Sequence, residues 1–151
     1  MRGLRLGLWL TGVVMFAGVP GASAAPFAYI ANDLSNDVSV LDIATNSVVA
    51  TVPVGQLAQG VAVTPDGRSV YVTNYTNNSV SVIDTAMNLV VDVVPVGSNP
   101  EGLAVTPDGK SVYVANTGDN TVSVIATATN TVVATVPVGN GPVAFGNFIG
   151  P

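Results

Sequence analysis

The chain has 151 residues and carries four Lys and Arg residues against nine Asp and Glu residues, with neither histidine nor cysteine. An acidic chain of this kind is a poor partner for nucleic acid, because phosphates are bound by clusters of Lys and Arg. The missing histidine and cysteine exclude disulfide bonds, Ser-His-Asp and Cys-His nucleophile systems and the usual zinc sites. Hydrophobic residues make up 48% of the chain, mostly as valines in short runs, which is typical of sheets buried on both faces.

Residues 1–24 have the three parts of a secretory signal peptide. A basic start, Met1-Arg2-Gly3-Leu4-Arg5, precedes the apolar residues 6–19, and Ala22-Ser23-Ala24 is a small-residue cleavage pattern. The apolar run is too short to span a bilayer. We therefore expect an exported protein, located in the periplasm, outside the cell or at the cell surface. Its mature chain, residues 25–151, would begin at Ala25 and contain no membrane span.

From Phe27 onwards the sequence repeats every 42 residues. In one period, residues 60–64, 69–74, 79–84 and 89–96 are β-branched, mostly alternating segments with turn residues between them. Four short strands in a meander, repeated in tandem, predict the blades of a β-propeller. The most regular block is a tetrapeptide that occurs three times: Tyr29-Ile30-Ala31-Asn32, Tyr71-Val72-Thr73-Asn74 and Tyr113-Val114-Ala115-Asn116.

The turn residues predict how the strands of a blade are connected. Pro65-Asp66-Gly67 and Pro107-Asp108-Gly109 suit a type I turn followed by a residue of positive φ, so the first two strands form a tight hairpin. Asparagine tolerates the left-handed region and marks the hairpin between the third and fourth strands, at Asn46, Asn88 and Asn130. Proline occurs near the end of the fourth strand, at Pro53, Pro95 and Pro137, which predicts that this strand is the outer edge.

These blocks resemble the YVTN β-propeller repeat family. The resemblance rests on the tetrapeptide, the Val-Thr-Pro-Asp-Gly turn before it, the Val-Ser-Val-Ile-Asp strand after it and the closing Val-Pro-Val-Gly. It implies an exported or surface protein, commonly of seven blades, related to surface-layer proteins and lactonase-like propellers, and it brings no catalytic signature. The third repeat departs from the pattern, because Ala126 replaces the aspartate found at Asp42 and Asp84.

The number of repeats predicts an incomplete ring. The blade equivalents are residues 27–68, 69–110 and 111–151, beginning at the second strand of one blade and ending with an extra first strand at 142–149. Propellers typically need four to eight blades. If an apolar blade face on the order of 400 Å² stays exposed, the chain loses roughly 10 kcal/mol of hydrophobic stabilisation, which is comparable to the stability of a domain. The chain is therefore predicted to be a partial propeller, either half of a six-bladed ring of two chains or a truncated, non-autonomous fragment of a longer propeller.

Carboxylates are the remaining candidates for chemistry. The oxygen-rich loops around Asp33, Asp37 and Asp119 are weak calcium candidates, because they lack the spacing and the bidentate glutamate of a calcium loop and fit Asx turns better. No catalytic residue and no cofactor is predicted.

The repeated residues have structural interpretations. Asp66, Gly67, Asp108 and Gly109 are predicted to form the turns. The tyrosines of the tetrapeptide are predicted to pack between blades; they are Tyr29, Tyr71 and Tyr113. Its asparagines are predicted to cap strand ends; they are Asn32, Asn74 and Asn116.

Two functions agree with this chain. The first is a secreted or cell-surface propeller that serves as a binding scaffold for a protein or small molecule, with contacts near one end of the central channel. The alternative, a lactonase-like hydrolase, needs polar residues that converge on the channel, and it rests on analogy. The inner strands read Val61-Ala62-Val63 and Leu103-Ala104-Val105. Because these residues are small and apolar, the sequence favours binding over catalysis.

Overall fold

The structure, a computed structural model, describes residues 26–150, so the predicted signal peptide lies outside the described residues. The described chain is all β and consists of eleven antiparallel strands. The strands are β1 (Phe27–Asn32), β2 (Asp37–Asp42), β3 (Ser47–Pro53), β4 (Ala58–Val63), β5 (Ser69–Asn74), β6 (Ser79–Asp84), β7 (Leu89–Pro95), β8 (Pro100–Val105), β9 (Ser111–Asn116), β10 (Thr121–Ala126) and β11 (Thr131–Pro137). Within residues 26–150 there is no helix long and apolar enough to cross a membrane.

The strands form three sheets, which we call blades 1, 2 and 3. Blade 1 has the order β1-β2-β3, blade 2 the order β4-β5-β6-β7, and blade 3 the order β8-β9-β10-β11. Each blade is a meander of neighbouring strands, and the blades follow one another along the chain. The prediction of a β-propeller of four-stranded antiparallel blades, in an incomplete ring, is confirmed, with three strands in blade 1.

The turns follow the predicted chemistry. Gly67 and Gly109 both have φ of 71°, after the Pro-Asp pair that begins each tight hairpin. The asparagines of the hairpin between the last two strands are also left-handed, with φ of 52°, 51° and 51° at Asn46, Asn88 and Asn130. Since glycine and asparagine accept positive φ at low cost, the repeat fixes each hairpin locally.

The hydrophobic core lies between the blades. One cluster joins blades 1 and 2 and contains the buried residues Val38, Val40, Val52, Ala58, Val70, Val72 and Ile83. A second joins blades 2 and 3 and contains Tyr71, Val80, Val82, Val94, Leu103, Val112, Val114 and Ile125. Blade 2 is therefore apolar on both faces, which explains its continuous runs of buried residues.

The first strand of a blade lies on the inside of the arc and the fourth on the outside. β4 and β8 pack against each other, and Gly60 of β4 comes so near the Glu101 carbonyl that an added Cβ would lie 2.5 Å from that oxygen. The fourth strands β3, β7 and β11 are mostly exposed, and each ends at a proline. The prediction that the proline-bearing strand is the outer edge is confirmed.

The prediction of an extra first strand at residues 142–149 is wrong for the described chain, in which this segment forms no ladder. An inner strand pairs with the second strand of its own blade, as β4 does with β5. No such partner follows among residues 26–150, so the segment has no ladder to join. It lies against β8, where Gly102 leaves no room for a Cβ beside the Ala144 carbonyl.

Candidate functional site

The asparagine of the repeated tetrapeptide ends the second strand and ties it to the third. The Nδ2 group of Asn74 donates to the hydroxyls of Ser79 and Ser81, at 3.0 and 2.9 Å, and its Oδ1 accepts from the Gly55 N–H at 3.0 Å. Asn32 and Asn116 donate in the same way, Asn32 to Asp37 and Ser39, and Asn116 to Thr121 and Ser123. Because Asn74 and Asn116 are fully buried, these amides act inside the blades.

The tyrosine of the tetrapeptide reaches the next blade. The hydroxyl of Tyr71, a residue that is 1% exposed, donates to Oδ1 of Asn130 at 2.7 Å, in the β10–β11 hairpin. Burial, followed by the negative charges of Asp92 and Asp66, raises the pKa of Tyr71, and burial raises the pKa of Tyr29. Tyr113 in blade 3 is 36% exposed. Tyr71 is thus covered by the following blade and Tyr29 is partly buried, whereas Tyr113 has no following blade among the described residues and is exposed.

The turn aspartates are held by the turn itself. Oδ1 of Asp66 accepts from the Thr64 hydroxyl at 2.7 Å and from the Arg68 N–H at 3.1 Å. The same bonds recur at Asp108, from Thr106 at 2.6 Å and from Lys110 at 3.0 Å. Both bonds hold the pKa of each carboxyl below its usual range, and the bond from the threonine hydroxyl is the larger cause. Both groups therefore stay ionised near neutral pH.

A cavity of 330 Å³ lies between these two turns. The carboxylates of Asp66 and Asp108, the Arg68 side chain and Tyr71 are among the residues that line it. Each turn also holds its own cation, since Arg68 Nε and Lys110 Nζ lie 3.9 Å from the aspartates of their turns and are largely exposed. The charges at this cavity are therefore largely matched in pairs.

A second cavity, of 460 Å³, lies along the inner strands. Its aliphatic wall is formed by β4 and β8, and the C-terminal segment contributes at its edge. The lining residues are Val61, Ala62, Val63, Pro65, Leu103, Ala104, Val105, Thr106, Pro107, Gly146 and Asn147. A ligand here would meet apolar side chains and few hydrogen-bonding groups.

The weak calcium candidates lie in different blades. Asp33 lies in the β1–β2 turn and Asp37 is the first residue of β2, whereas Asp119 lies in the β9–β10 turn. Asp119 accepts from the Ser98 N–H at 2.9 Å and from the Thr121 hydroxyl at 2.8 Å, and the first bond is the main cause of its lowered pKa. Within residues 26–150, no group of three or more His, Cys, Asp and Glu side chains is placed to hold a metal ion.

One set of asparagines has a role that the sequence interpretation missed. Asn36, Asn78 and Asn120 stand in the turn between the second and third strands, all with positive φ. Their Oδ1 atoms accept from the backbone N–H groups of Leu57, Asn99 and Gly141 at 2.9, 2.9 and 2.8 Å. Each donor lies 21 residues after its acceptor, in the loop that leads towards the following blade. The 42-residue spacing of these asparagines was a signal of a repeated contact, although it did not name the partner.

The sequence matches the family model described as lactonase, seven-bladed β-propeller, over residues 21–137. Among solved structures, Kuenenia stuttgartiensis hydrazine synthase is 30% identical with a TM-score of 0.75, covering 87% of this chain and 41% of that chain. Dihydro-heme d1 dehydrogenase NirN in complex with DHE is 25% identical with a TM-score of 0.67, covering 77% of this chain and 25% of that one. No curated protein matches the sequence significantly.

A third solved structure, apo AztD from Citrobacter koseri, shares the fold alone. It is 14% identical with a TM-score of 0.66, covering 79% of this chain and 34% of that chain. The chain thus spans less than half the length of each of these three structures. The match over residues 21–137 covers most of the sequence, and the three antiparallel sheets follow the same architecture. The chain belongs to the lactonase family of seven-bladed β-propellers.

Proposed function

We propose that this chain is an exported β-propeller module that binds a ligand at the inner wall of the arc. The observation that carries the proposal is the 460 Å³ cavity along β4 and β8, whose wall is aliphatic. Apolar concavities with a few polar groups at the rim are the usual form of small-molecule sites. Thr106 and Asn147 are the polar residues at this rim. A ligand with an apolar body and a small polar end fits this chemistry.

Export and a location in the periplasm, outside the cell or at the cell surface are part of the same proposal. They are supported by the basic, apolar and small-residue segments of residues 1–24. N-terminal sequencing of the protein recovered from the expressing cells tests this part. Export with cleavage gives a chain that starts at Ala25, whereas an uncleaved chain in the cytoplasmic fraction contradicts it.

Binding at the inner wall can be tested with the fluorescent probe 8-anilinonaphthalene-1-sulfonate. Val63 is 41% exposed on the inner wall, and Val91 is 50% exposed on the outer strand β7. We expect Val63→Asp to weaken probe binding severalfold because it places a charge in the aliphatic wall. The matched control, Val91→Asp, should leave the binding unchanged. Equal affinities of the two variants would contradict an inner-wall site.

Lactone hydrolysis is the second candidate, and the family match favours it. Its polar groups would be Asp66, Arg68 and Asp108, which line the 330 Å³ cavity. Assay of the purified chain on an aliphatic lactone separates the two functions. Turnover that is lost in Asp66→Asn or Asp108→Asn, or on addition of a chelator, would establish the hydrolase and displace the binding role. We expect no turnover above that of buffer.

A further inference from the structure

A third cavity, of 560 Å³, lies between blades 1 and 2, where the outer strands β3 and β7 end. Its aliphatic walls are formed by Pro53 and Val54 at the end of blade 1 and by Val90, Val93 and Pro95 of blade 2. Val54 and Val90 also pack against the core cluster that joins these two blades. This cavity shares no lining residue with the cavity along the inner strands.

The polar floor of the cavity is formed around the amide of Asn74. The Gly55 N–H donates to Oδ1 of Asn74 at 3.0 Å, which fixes the orientation of the amide. Its Nδ2 group therefore donates to the hydroxyls of Ser79 and Ser81, at 3.0 and 2.9 Å. Because both hydroxyls accept in these bonds, each keeps its own proton for a further acceptor.

The two serine protons have no acceptor among the described residues. Ser79 and Ser81 are 6% and 1% exposed, and within residues 26–150 neither hydroxyl donates a hydrogen bond to another group. Buried donors without a partner are rare, because leaving such a bond unmade costs free energy. Both serines line the cavity, so an acceptor inside it can reach them.

The rim of the cavity adds further donors. Oδ1 of Asn77 accepts from the Gln56 N–H at 2.5 Å, and Oδ1 of Asn78 accepts from the Asn99 N–H at 2.9 Å. These bonds use the oxygen of each amide and leave its Nδ2 group to donate. Among the described residues, no charged side chain lines this cavity. The site therefore presents neutral hydrogen-bond donors beside aliphatic walls.

Blade 3 satisfies the same position internally. There Asp119 stands at the position of Asn77, and Thr121 stands at that of Ser79. The Thr121 hydroxyl accepts from Asn116 at 3.0 Å and donates to Oδ1 of Asp119 at 2.8 Å. Its proton is thus used within the blade. Blade 2 has an amide in place of this carboxylate, so the Ser79 proton remains available to a ligand.

We propose that the cavity between blades 1 and 2 binds an uncharged small molecule whose carbonyl oxygen accepts from the hydroxyls of Ser79 and Ser81 and whose apolar body lies against the aliphatic walls. Cavities of about 300 to 1,000 Å³ that combine apolar walls with a few converging polar groups are typical of such sites. A neutral carbonyl fits better than a carboxylate, because a buried anion needs a cation that this cavity does not supply.

The proposal can be tested with 6-propionyl-2-(dimethylamino)naphthalene, an uncharged fluorophore that carries one ketone. Asn77→Asp should weaken its binding about fivefold, because the new carboxylate takes the Ser79 proton as Asp119 takes that of Thr121. The matched control Thr76→Asp places the same charge at an exposed position of the same turn and should leave the affinity unchanged. Fluorescence titration measures the affinities, and an unchanged circular dichroism spectrum shows that a variant is folded.

A second pair of variants tests the deeper serine. Ser81→Ala should weaken binding of the ketone about fivefold, because it removes one donor. Ser123→Ala is the matched control, since Ser123 is the equivalent residue of blade 3, is also 1% exposed and also accepts from an asparagine amide. It should leave the affinity unchanged. 2-(Dimethylamino)naphthalene, which lacks the ketone, should bind the parent and Ser81→Ala equally.

The expected pattern separates this site from the inner wall. Val63→Asp, which changes the inner wall, should leave binding of the ketone unchanged. Equal affinity of the ketone for the parent, Asn77→Asp and Ser81→Ala would overturn the proposal and assign the two serine protons to water. Binding of the ketone that only Val63→Asp weakens would also overturn it.

Discussion

Three asparagine positions recur in every repeat, and the role of each depends on where its amide lies. Asn74 is buried at a strand end and bonds two serine hydroxyls and one backbone N–H. Asn78 is exposed in a turn and holds the loop that precedes the next blade. Asn88 supplies the left-handed residue of a hairpin. The short amide serves all three because it tolerates positive φ and offers both donors and an acceptor.

The contact of Asn78 with the next blade can be separated from its backbone conformation. Asn78→Gly keeps the positive φ and removes the acceptor for the Asn99 N–H, so we expect a loss of about 1 kcal/mol in the free energy of unfolding. The control is Asn46→Gly, because Asn46 has the same φ of 52° and is also exposed. Urea denaturation measures both variants. An equal effect of the two substitutions would show that the bond to the next blade contributes nothing.

Tyr71 offers a second contact between blades. Tyr71→Phe keeps the buried ring but leaves Asn130 Oδ1 without its donor, so we expect a loss of about 1 kcal/mol in unfolding free energy. Tyr113→Phe changes the equivalent residue, which is exposed, and should have almost no effect on unfolding free energy. Thermal unfolding measures both variants. A Tyr113→Phe variant that loses as much stability as Tyr71→Phe would contradict this role.

The turn aspartates predict how stability changes in acid. Their pKa values in the folded chain lie below the ordinary value of 3.8. The unfolded chain therefore binds more protons in this range. The stabilisation is fully present above pH 3.8 and is lost as the pH falls through the folded pKa values.

The double variant Asp66→Asn, Asp108→Asn keeps a side-chain oxygen for the turn bonds and removes the titration. Its unfolding free energy should fall less steeply than that of the parent between pH 4 and pH 2, a range set by the ordinary aspartate pKa. Denaturant titrations at each pH measure this slope. Identical slopes for the parent and the variant would show that the turn carboxylates do not cause the loss of stability in acid.

At the scale of strands, the sequence predicted most of what local chemistry decides. β5 and β6 begin and end at the predicted residues, and the Pro-Asp-Gly hairpins and the outer position of the proline-bearing strand also agree. These features depend on residues that are close in sequence. The contacts of Asn36, Asn78 and Asn120 were not predicted because each joins two segments that are 21 residues apart. How two such segments lie relative to each other in space does not follow from the local sequence of either one. The C-terminal segment was mispredicted because a strand needs a partner as well as a suitable sequence.

The close approach of the inner strands depends on glycine. At Gly60 an added Cβ would lie 2.5 Å from the Glu101 carbonyl and 3.1 Å from Thr73 Oγ1. Gly60→Ala should therefore push β4 and β8 apart and lower the unfolding free energy by about 1 to 3 kcal/mol. Gly139→Ala is the control, since nothing lies within 4 Å of its added Cβ. A Gly60→Ala variant as stable as the parent would show that the inner strands are less tightly packed than described.

For the whole molecule, stability comes from the faces between blades. Both hydrophobic clusters join neighbouring blades, and each blade alone is a thin sheet with little interior of its own. Such a solenoid-like chain gains stability with every junction that it forms. Blade 2, which takes part in both clusters, should therefore be the most stable of the three blades among the described residues.

Hydrogen exchange of the backbone amides of blades 2 and 3 tests this account most directly. Blade 2 is covered on both faces by the two hydrophobic clusters, whereas the described residues cover blade 3 on one face. If stability comes from the faces between blades, the ladder amides of β6 should exchange more slowly than those of β10, and this is the result that we predict. Equal exchange rates for β6 and β10 would contradict the account.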